Sequence, residues 1–360
     1  MGTSRVTIAD VARRAGVSPT AVSFAFHNPD QLGAETAQRI MAAVRELGYA
    51  PSPFARALVS RQVGVLGVLV PQGIGAIFEN PFFAAFLQGV GTACAEQDRS
   101  MLVVGSPVDG TLEDVIARAP VDGFIIVGLN EGYREIEPLR RRGVPFVIVD
   151  GDSETVSSVN VDDEGGASRA AAHLLAAGHR DVLVLTFETP YGHLDDPLHG
   201  VGGRRLRGYQ QAFRDARVAW RDQWLIPSVA SVEGGRQGFL TALRSGLRPT
   251  AVLAVSDAIA AGALAAAARA EFRVPEELEI IGFDDTILAE LSCPPLTTVR
   301  QPIVDKGRIA AELLLDALAD RGSAERIVLP TELILRGTTR APEIRTRSRH
   351  NKHRRTDDGV

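Results

Sequence analysis

The sequence predicts a protein of the α/β class, with a three-helix head at the N-terminus and a two-lobed body built on parallel sheets. Two observations support this prediction. The first 50 residues contain three short amphipathic helical patterns separated by tight turns, and from residue 63 apolar strands alternate with helical segments. Such alternation is typical of parallel sheets covered by helices, and the run is too long for one compact sheet.

The head begins with a helix that has local signals at both ends. Thr7 opens a capping-box pattern, and Gly16 can adopt the positive φ that ends a helix. Ser18 is a natural N-cap and Pro19 a natural first residue for a second helix, which we expect to run to about Phe26. The tight turn between the two indicates a helix-turn-helix, in which the second helix is presented outward.

A third head helix is expected from about residue 34 to residue 47, where Gly48 ends the pattern. Its apolar face is expected to carry Ile40, Met41, Val44 and Leu47. The following segment, "APSPFARALVSRQ", has prolines around a helix-capable piece that is too short to be stable alone. We interpret it as a linker that folds only when something holds it.

These patterns divide the chain into four parts. They are the head (1–50), the linker (51–62), the body (63–340) and a polar, basic tail (341–360). The composition of the tail predicts disorder, and because the chain after residue 340 has no leucine heptads we expect no coiled-coil tetramer.

Charge is distributed unevenly between the head and the body. The chain has a net charge of −5, so any affinity for nucleic acid must come from a local patch. Residues 1–60 carry six arginines and four acidic residues, a net +2, which leaves −7 on the other 300 residues. A positive head on an acidic body suits phosphate binding by the head, although the excess is modest.

Several classes of protein are disfavoured by what the sequence lacks. Cys94 and Cys293 are isolated, which fits a reducing compartment and neither a disulfide framework nor a zinc site. The N-terminus has no apolar signal-peptide region, and no apolar run reaches the length of a membrane helix, so we expect a cytoplasmic protein. No G-x-S-x-G, P-loop, zinc signature or complete GxGxxG motif is present, so we expect neither an enzyme nor a cofactor.

The second helix is the candidate for base recognition. Its outward positions are Pro19, Thr20, Ser23, Phe24 and His27. In a major groove, Thr20 can offer a hydroxyl or a methyl, while Ser23 and His27 can reach phosphates. Phe24 can make only apolar contact there, such as with a thymine methyl. The alternative is that Phe24 closes the small core of the head.

The head segment "TIADVARRAGVSPTAVSFAFHNP" resembles the DNA-binding head of the lactose-repressor (LacI/GalR) family of bacterial transcription regulators. Later phrases such as "NPFFAAFLQGV", "RGVPFVIVD", "PTAVLAVSDAIAAGAL" and "VPEELEIIGFDD" continue the resemblance in family order over roughly residues 5–340. Each phrase is weak alone, but all of them in this order make the resemblance specific.

The resemblance implies a homodimer on near-palindromic double-stranded operator DNA, with a hinge helix at about residues 53–60. Leu58, with Ala55 on the same face, matches the family's wedge into the minor groove, where unstacking is offset by contacts that bending permits. Packing against the body is the alternative for Leu58. Phe24 stands where the family usually has arginine, which puts the usual base preference in doubt. The implied DNA-binding set is Thr7, Ser18, Pro19, Thr20, Ser23, Phe24, His27, Ala55 and Leu58.

For the body, the resemblance implies two lobes like those of periplasmic sugar-binding proteins, with an effector between them. The expected lobes are residues 63–160 with 294–322, and residues 161–293 with 323–340. The implied effector-binding set is Phe82, Phe83, Asp150, Arg205, Ser256 and Asp284. One of the two phenylalanines is also a core candidate, Ser256 stands where asparagine is common, and Asp257 is expected mainly to cap the following helix.

A long loop at residues 186–205 contains His193, Asp195, Asp196 and His199, but their spacing matches no metal site, and a solvated loop is the favoured interpretation. The whole pattern predicts a transcriptional repressor controlled by a sugar or related metabolite. The alternative is a solute-binding protein with a vestigial head. An enzyme acting on small sugars is disfavoured, and the sequence leaves the ligand and the operator open.

Overall fold

The structure is a computed structural model that describes residues 6–27, 31–49, 62–70, 72–106, 111–188 and 200–340. The chain divides into two compact units, the head up to Gly64 and the body from Val65. The predicted hinge with Ala55 and Leu58, the central part of the loop at 186–205 and the tail at 341–360 lie outside the described residues.

The head contains the three predicted helices. They are α1 (Ile8–Ala15), α2 (Pro19–His27) and α3 (Ala34–Leu47). The Asp10 carboxylate accepts from the backbone N–H and the hydroxyl of Thr7, at 3.0 and 2.7 Å. Gly16 ends α1 with φ 66°, and the hydroxyl of Ser18 accepts from the N–H of Ala21 at 3.1 Å. The local capping signals therefore operate as predicted.

The core of the head is small and apolar. Its buried members are Val11, Ala12, Ala15, Val22, Ile40 and Ala43. Met41, which the sequence placed on the apolar face of α3, is instead 36% exposed, and that prediction is wrong. Residues 40, 43, 44 and 47 follow the helical spacing of one face, whereas position 41 is rotated about 100° away from Ile40.

The described part of the body contains two six-stranded sheets, which confirms the predicted α/β class. All pairings in the first sheet are parallel, in the order β11-β5-β4-β3-β1-β2. Its strands are β1 (Val65–Val70), β2 (Ser100–Gly105), β3 (Gly123–Val127), β4 (Phe146–Val149), β5 (Ser158–Val161) and β11 (Arg326–Leu329).

The second sheet has the order β12-β10-β9-β8-β6-β7, and only β12 pairs in the antiparallel sense. Its strands are β6 (Val182–Phe187), β7 (Leu225–Ser228), β8 (Ala251–Ala254), β9 (Glu279–Asp284), β10 (Thr297–Arg300) and β12 (Glu332–Ile334). We call the sheets with their covering helices the first lobe and the second lobe.

Helices cover the sheets, as expected for parallel strands. In the first lobe they are α4 (Ile74–Glu79), α5 (Pro81–Glu96), α6 (Leu112–Arg118), α7 (Glu137–Arg142) and α13 (Ile303–Leu318). In the second lobe they are α8 (Asp163–Ala176), α9 (Gly200–Asp215), α10 (Val232–Arg244), α11 (Asp257–Arg269) and α12 (Ile287–Leu291).

Two segments of the chain belong to a different lobe from the one predicted for them. The segment 294–300, assigned to the first lobe, forms β10 and pairs with β9 in the second. The segment 323–329, assigned to the second lobe, contains β11, which pairs with β5 in the first. These short strands carry weak sequence signals, so only their pairing partners reveal the lobe to which they belong.

One close helix contact sets the position of the candidate site. Gly208 on α9 faces α8 so closely that an added Cβ would lie 2.2 Å from the carbonyl oxygen of Glu164. The missing side chain therefore allows α9 to pack directly on the N-terminal turn of α8. This contact brings Arg205, one turn earlier on α9, to Asp163, the first residue of α8.

Candidate functional site

In the head, the predicted outward face of α2 faces solvent. Pro19 and Thr20 are exposed, Ser23 is half-buried, and Phe24 is 37% exposed. His27 ends the helix, but its side chain lies outside the described residues. The face therefore presents a hydroxyl-bearing N-terminal turn followed by one apolar ring.

The two phenylalanines of α2 have different environments. Phe26 packs against the head core, and its ring centroid lies 6.2 Å from that of Tyr49. Phe24 is not among the apolar side chains that pack against this core in the described part of the head. Residues two apart on a helix point in different directions, so one ring is used in packing and the other stays available.

In the body, a buried polar network runs from one lobe to the other. It begins at Asp150, the residue directly after β4. The carboxylate of Asp150 is 2.7 Å from the ammonium nitrogen of Lys306 on α13. Lys306 also donates to the side-chain oxygen of Gln301, in the segment that joins β10 to α13. The Gln301 amide in turn donates to Asp284, at the end of β9, at 2.6 Å.

Arg205 continues this network inside the second lobe. Its guanidinium is 3.3 Å from the Asp284 carboxylate and 2.9 Å from that of Asp163, and it also donates to the carbonyl of Val255. The same group lies 3.5 Å from the centre of the Phe283 ring, which is within cation–π range. These contacts hold a fully buried cation in one orientation.

Burial and neighbouring charges shift the ionisation of these groups. Burial alone would raise the pKa of Asp163, but Arg205 and Arg204 outweigh it and hold that pKa below its usual value. Burial raises the pKa of Asp284 to about 6, although Arg205 and Gln301 oppose the rise. Asp163 therefore stays ionised at neutral pH, whereas Asp284 changes its protonation state near neutral pH.

The backbone is unusual where the network reaches the strand ends. Asp150, Asp284 and Asp285 have positive φ values of 59°, 116° and 59°. Non-glycine residues rarely adopt this conformation, and such positions concentrate at binding and catalytic sites. They lie at or directly after the carboxyl ends of β4 and β9, where ligands bind in open parallel sheets.

Ser256 takes the helix-capping role that was expected of Asp257. The Ser256 hydroxyl caps α11 by accepting from the N–H of Ile259 at 3.3 Å. Asp257, expected to be the cap, is fully buried and accepts from Thr286 and Thr298 instead. The prediction for Asp257 was wrong because its hydroxyl partners come from chain segments far along the sequence.

Phe82 and Phe83 are both buried in the core of the first lobe. Their rings meet edge to face with centroids 5.3 Å apart. The Lys306 ammonium lies 5.5 Å from the centre of the Phe82 ring, so Phe82 borders the polar network. No contact of Phe83 with the network is among those described, and Phe83 packs as a core residue.

Four network residues were not predicted from the sequence. They are Arg204, Asp163, Gln301 and Lys306. One signal was available for Lys306, since the chain has only two lysines among 39 basic residues and this one interrupts an apolar helix. The roles of the other three depend on partners contributed by distant segments.

Within the ranges that the structure describes, no three His, Cys, Asp or Glu side chains are placed to hold a metal ion. Among the same residues, no helix is long and apolar enough to cross a membrane. The loop residues His193, Asp195, Asp196 and His199 lie outside the described ranges.

Two family models match this chain, one in the head and one in the later part of the body. The family model "Bacterial regulatory proteins, lacI family" matches residues 7–52, and the model "Periplasmic binding protein-like domain" matches residues 171–339. The chain is 30% identical to the transcriptional regulator DegA of Bacillus subtilis, covering 93% of this chain and 98% of DegA. It is 31% identical to the ribose operon repressor of Haemophilus influenzae, covering 92% and 97%.

Solved structures confirm the fold class. The transcriptional regulator CelR in complex with cellobiose has a TM-score of 0.70 and 28% identity, over 93% of this chain and all of CelR. A regulator from Enterococcus faecium with bound ribose has a TM-score of 0.65 and 30% identity, over 77% and 99%. The Lac repressor dimer bound to operator and an anti-inducer has a TM-score of 0.77 at 24% identity, over 94% and 100%, a likeness of fold alone.

Proposed function

Since this chain belongs to the lacI family of bacterial regulatory proteins, whose members are DNA-binding transcriptional regulators, we propose that it represses transcription under the control of an uncharged, hydroxyl-rich ligand bound between its lobes. A buried polar network at the carboxyl ends of both sheets supports this ligand site. It consists of Asp150, Lys306, Gln301, Asp284 and Arg205.

The chemistry of the network suits hydroxyl groups. A hydroxyl both donates and accepts, so it can bond to Asp284 and Arg205 together, as a sugar diol requires. Two structural relatives were solved with ribose and with cellobiose, which supports the same class of ligand.

The charge balance of the network supports an uncharged ligand over an anionic one. The cations Arg204, Arg205 and Lys306 are each within ion-pair distance of a carboxylate of the same chain. An anionic phosphate would have to displace one of these carboxylates and leave it buried without its partner, which is costly.

On the DNA side, we assign base contact to the outward face of α2. The hydroxyl and methyl of Thr20 suit base edges in the major groove, with Phe24 placed for a thymine methyl, and the hydroxyl of Ser23 suits a phosphate. We also assign the minor-groove wedge to Leu58 with Ala55, and phosphate or cap contacts to Thr7, Ser18, Pro19 and His27. A near-palindromic operator follows if the protein is a homodimer, since two-fold symmetry presents two equal heads.

The homodimer is supported by a solved relative and by exposed apolar side chains. The Lac repressor structure of similar fold is a dimer. In the second lobe, Ile287 and Leu291 on α12 are 54% and 75% exposed. Large apolar side chains exposed on one short helix are typical of a surface that another subunit covers.

The test has two stages. Purified protein is first screened by thermal unfolding with D-ribose, cellobiose, D-ribose 5-phosphate and a nucleoside, since a ligand raises the unfolding temperature. We expect an uncharged sugar to stabilise the protein and its phosphate ester not to. A selected operator is then titrated with and without each binder.

Arg205→Ala locates the site. We expect the variant to lose the response to the binder while it still binds the operator, because the head is a separate unit. Arg214→Ala, on the exposed side of the same helix, is the control. A full ligand response in Arg205→Ala would place the effector elsewhere, and stabilisation by the phosphate ester alone would overturn the uncharged class.

A further inference from the structure

Arg204, the residue before Arg205 on α9, reaches from the second lobe to the first. Its guanidinium donates to the side-chain oxygen of Asn160, on β5 of the first sheet, at 3.1 Å. A second nitrogen of the group is 3.5 Å from the carboxylate of Asp152, in the segment that follows β4. Both partners belong to the first lobe, so these contacts join the two lobes directly.

The same side chain is connected to the candidate effector site. The Nε of Arg204 donates to one oxygen of the Asp163 carboxylate at 2.9 Å, and the Nε of Arg205 donates to the other oxygen, also at 2.9 Å. Asp163 is buried, so its charge is shielded little by water. A shift of Arg205 therefore acts through Asp163 on Arg204.

The partner segment in the first lobe is held firmly. The backbone N–H of Asp152 donates to the side-chain oxygen of Asn130 at 2.8 Å. The Glu131 carboxylate accepts from the N–H groups of Glu154 and Thr155 at 2.6 and 2.9 Å. Although burial opposes it, a hydrogen bond from the Thr155 hydroxyl and these backbone hydrogen bonds lower the pKa of Glu131 to about 2, so it stays an acceptor throughout the neutral range. Asp152 therefore lies in a loop that hydrogen bonds to Asn130 and Glu131 hold in place beside Arg204.

The two ends of the Arg204 contact differ in strength. The Asp163 side chain is fully buried, and that of Arg204 is 13% exposed, so this ion pair is poorly screened. The side chain of Asp152 is 70% exposed, and exposed ion pairs contribute little. The contact of Arg204 with Asp163 within the second lobe is therefore stable, while its contact with Asp152 across the lobes can break and re-form.

We propose that Arg204 is a positioning residue that fastens the two lobes in the closed arrangement, anchored on Asp163 and released at Asn160 and Asp152. It acts through Arg205 and Asp163 and does not itself need to touch the effector. The proposal rests on the interlobe control proposed above, but its test uses neither effector nor operator, so the two can fail separately.

The test measures the distance between the lobes. Nitroxide labels are attached at Gln97→Cys in the first lobe and Ser245→Cys in the second, both exposed positions at helix ends. Exposed Cys293 is replaced by serine, and Cys94 is buried. Pulsed electron spin resonance then gives the distribution of distances in the ligand-free full-length protein.

In Arg204→Met, which keeps the apolar stem but removes all donors, we expect a broader distribution with a second, open population. Loss of the part-buried hydrogen bond from the charged Arg204 to Asn160 predicts a rise of at least roughly tenfold in the ratio of open to closed molecules, and the exposed contact with Asp152 adds little to it. Arg204→Lys should fall between this variant and the unsubstituted protein. Arg214→Met, on the same helix, should leave the distribution unchanged.

Asn160→Ala provides a second variant that leaves the buried pair of Arg204 and Asp163 in place. We expect it to broaden the distribution in the same direction, which a fault in folding of the second lobe would not explain. Distributions that superimpose for Arg204→Met, Asn160→Ala and the unsubstituted protein would overturn the proposal. Equal broadening in Arg214→Met would overturn it as well.

Discussion

At the scale of single residues, neighbouring charges decide which buried carboxylates of the body are ionised. Asp257 is completely buried and has no cation among its described partners. Burial, reinforced by nearby Asp284, raises the pKa of Asp257 to about 8. Asp163 is equally buried, but two arginines keep its pKa low. Identical side chains therefore differ in charge at neutral pH because of what faces them.

This difference predicts a pH effect on stability. Between its unfolded value near 3.8 and its folded value of about 8, Asp257 keeps a proton in the folded state that the unfolded chain releases. Its contribution is therefore present at acidic pH and is lost as the pH rises toward 8. Asp257→Asn cannot ionise and should not show this loss. The difference in free energy of unfolding between Asp257→Asn and the unsubstituted protein should therefore increase with pH, by up to about 1.4 kcal/mol per pH unit.

Urea unfolding at pH 5, 6, 7 and 8 measures this difference. Asp98→Asn is the control, since Asp98 is exposed on the first lobe. Its pH profile should run parallel to that of the unsubstituted protein. Parallel profiles for Asp257→Asn would mean that Asp257 is ionised in the folded state at neutral pH.

At the scale of elements, the position of the site depends on how closely helices approach each other. The contact of α9 with α8 through Gly208 places Arg204 and Arg205 on Asp163. In the first lobe, α5 and α13 meet in the same way, and α13 carries Lys306. Small residues at helix contacts thus decide where the charged groups of the network lie.

Gly208→Ala tests this dependence. The added Cβ would lie 2.2 Å from the Glu164 carbonyl oxygen, so α9 must move, and overpacking of this kind costs about 1–3 kcal/mol of unfolding free energy. Because α9 carries Arg205, ligand affinity should fall as well. Both effects are measured by urea unfolding and by titration with a sugar found in the thermal screen.

Gly91→Ala is a matched control on α5. No atom lies within 4 Å of an added Cβ there, so the substitution should be neutral or should stabilise by up to about 1 kcal/mol through helix propensity. Equal stability for Gly208→Ala and Gly91→Ala would show that the approach of α9 to α8 is not constrained by Gly208.

At the scale of the whole molecule, DNA recognition and ligand sensing belong to separate compact units joined by the predicted linker at residues 51–62. A segment too short to be helical alone can respond to what surrounds it, because its folding depends on outside contacts. Effector control of operator binding then requires the linker to fold more readily in one arrangement of the lobes than in the other.

Leu58→Gly addresses the linker. We expect binding to the specific operator to weaken by at least tenfold, since the wedge and the helix propensity are both lost, while non-specific binding changes little. Fluorescence anisotropy with operator and with unrelated DNA at one salt concentration measures both. Loss of the same size on both DNAs would contradict the wedge, and Val59→Ala in the same segment is the control.

Predictions that depend on neighbouring residues agree with the structure better than those that depend on distant ones. The ends of α1 and α3 were predicted closely because Thr7, Gly16 and Gly48 act on neighbours a few residues away. No strand was predicted where β5, β7, β10, β11 and β12 form, because these strands are short and partly polar and their stability comes from pairing with other strands. Arg205 and Asp284 were proposed through the family resemblance, and the structure brings the two together.

The helix-turn-helix head, the α/β class of the body and the family follow from local patterns of residues, because caps, apolar periodicity and motif order involve neighbours along the chain. The bridge of Lys306 and Gln301 to Asp284, the span of Arg204 across the lobes and the sheet to which each strand belongs are visible only in the folded chain. A buried charge is stable only with its partners, and here those partners come from segments that folding brings within hydrogen-bonding distance.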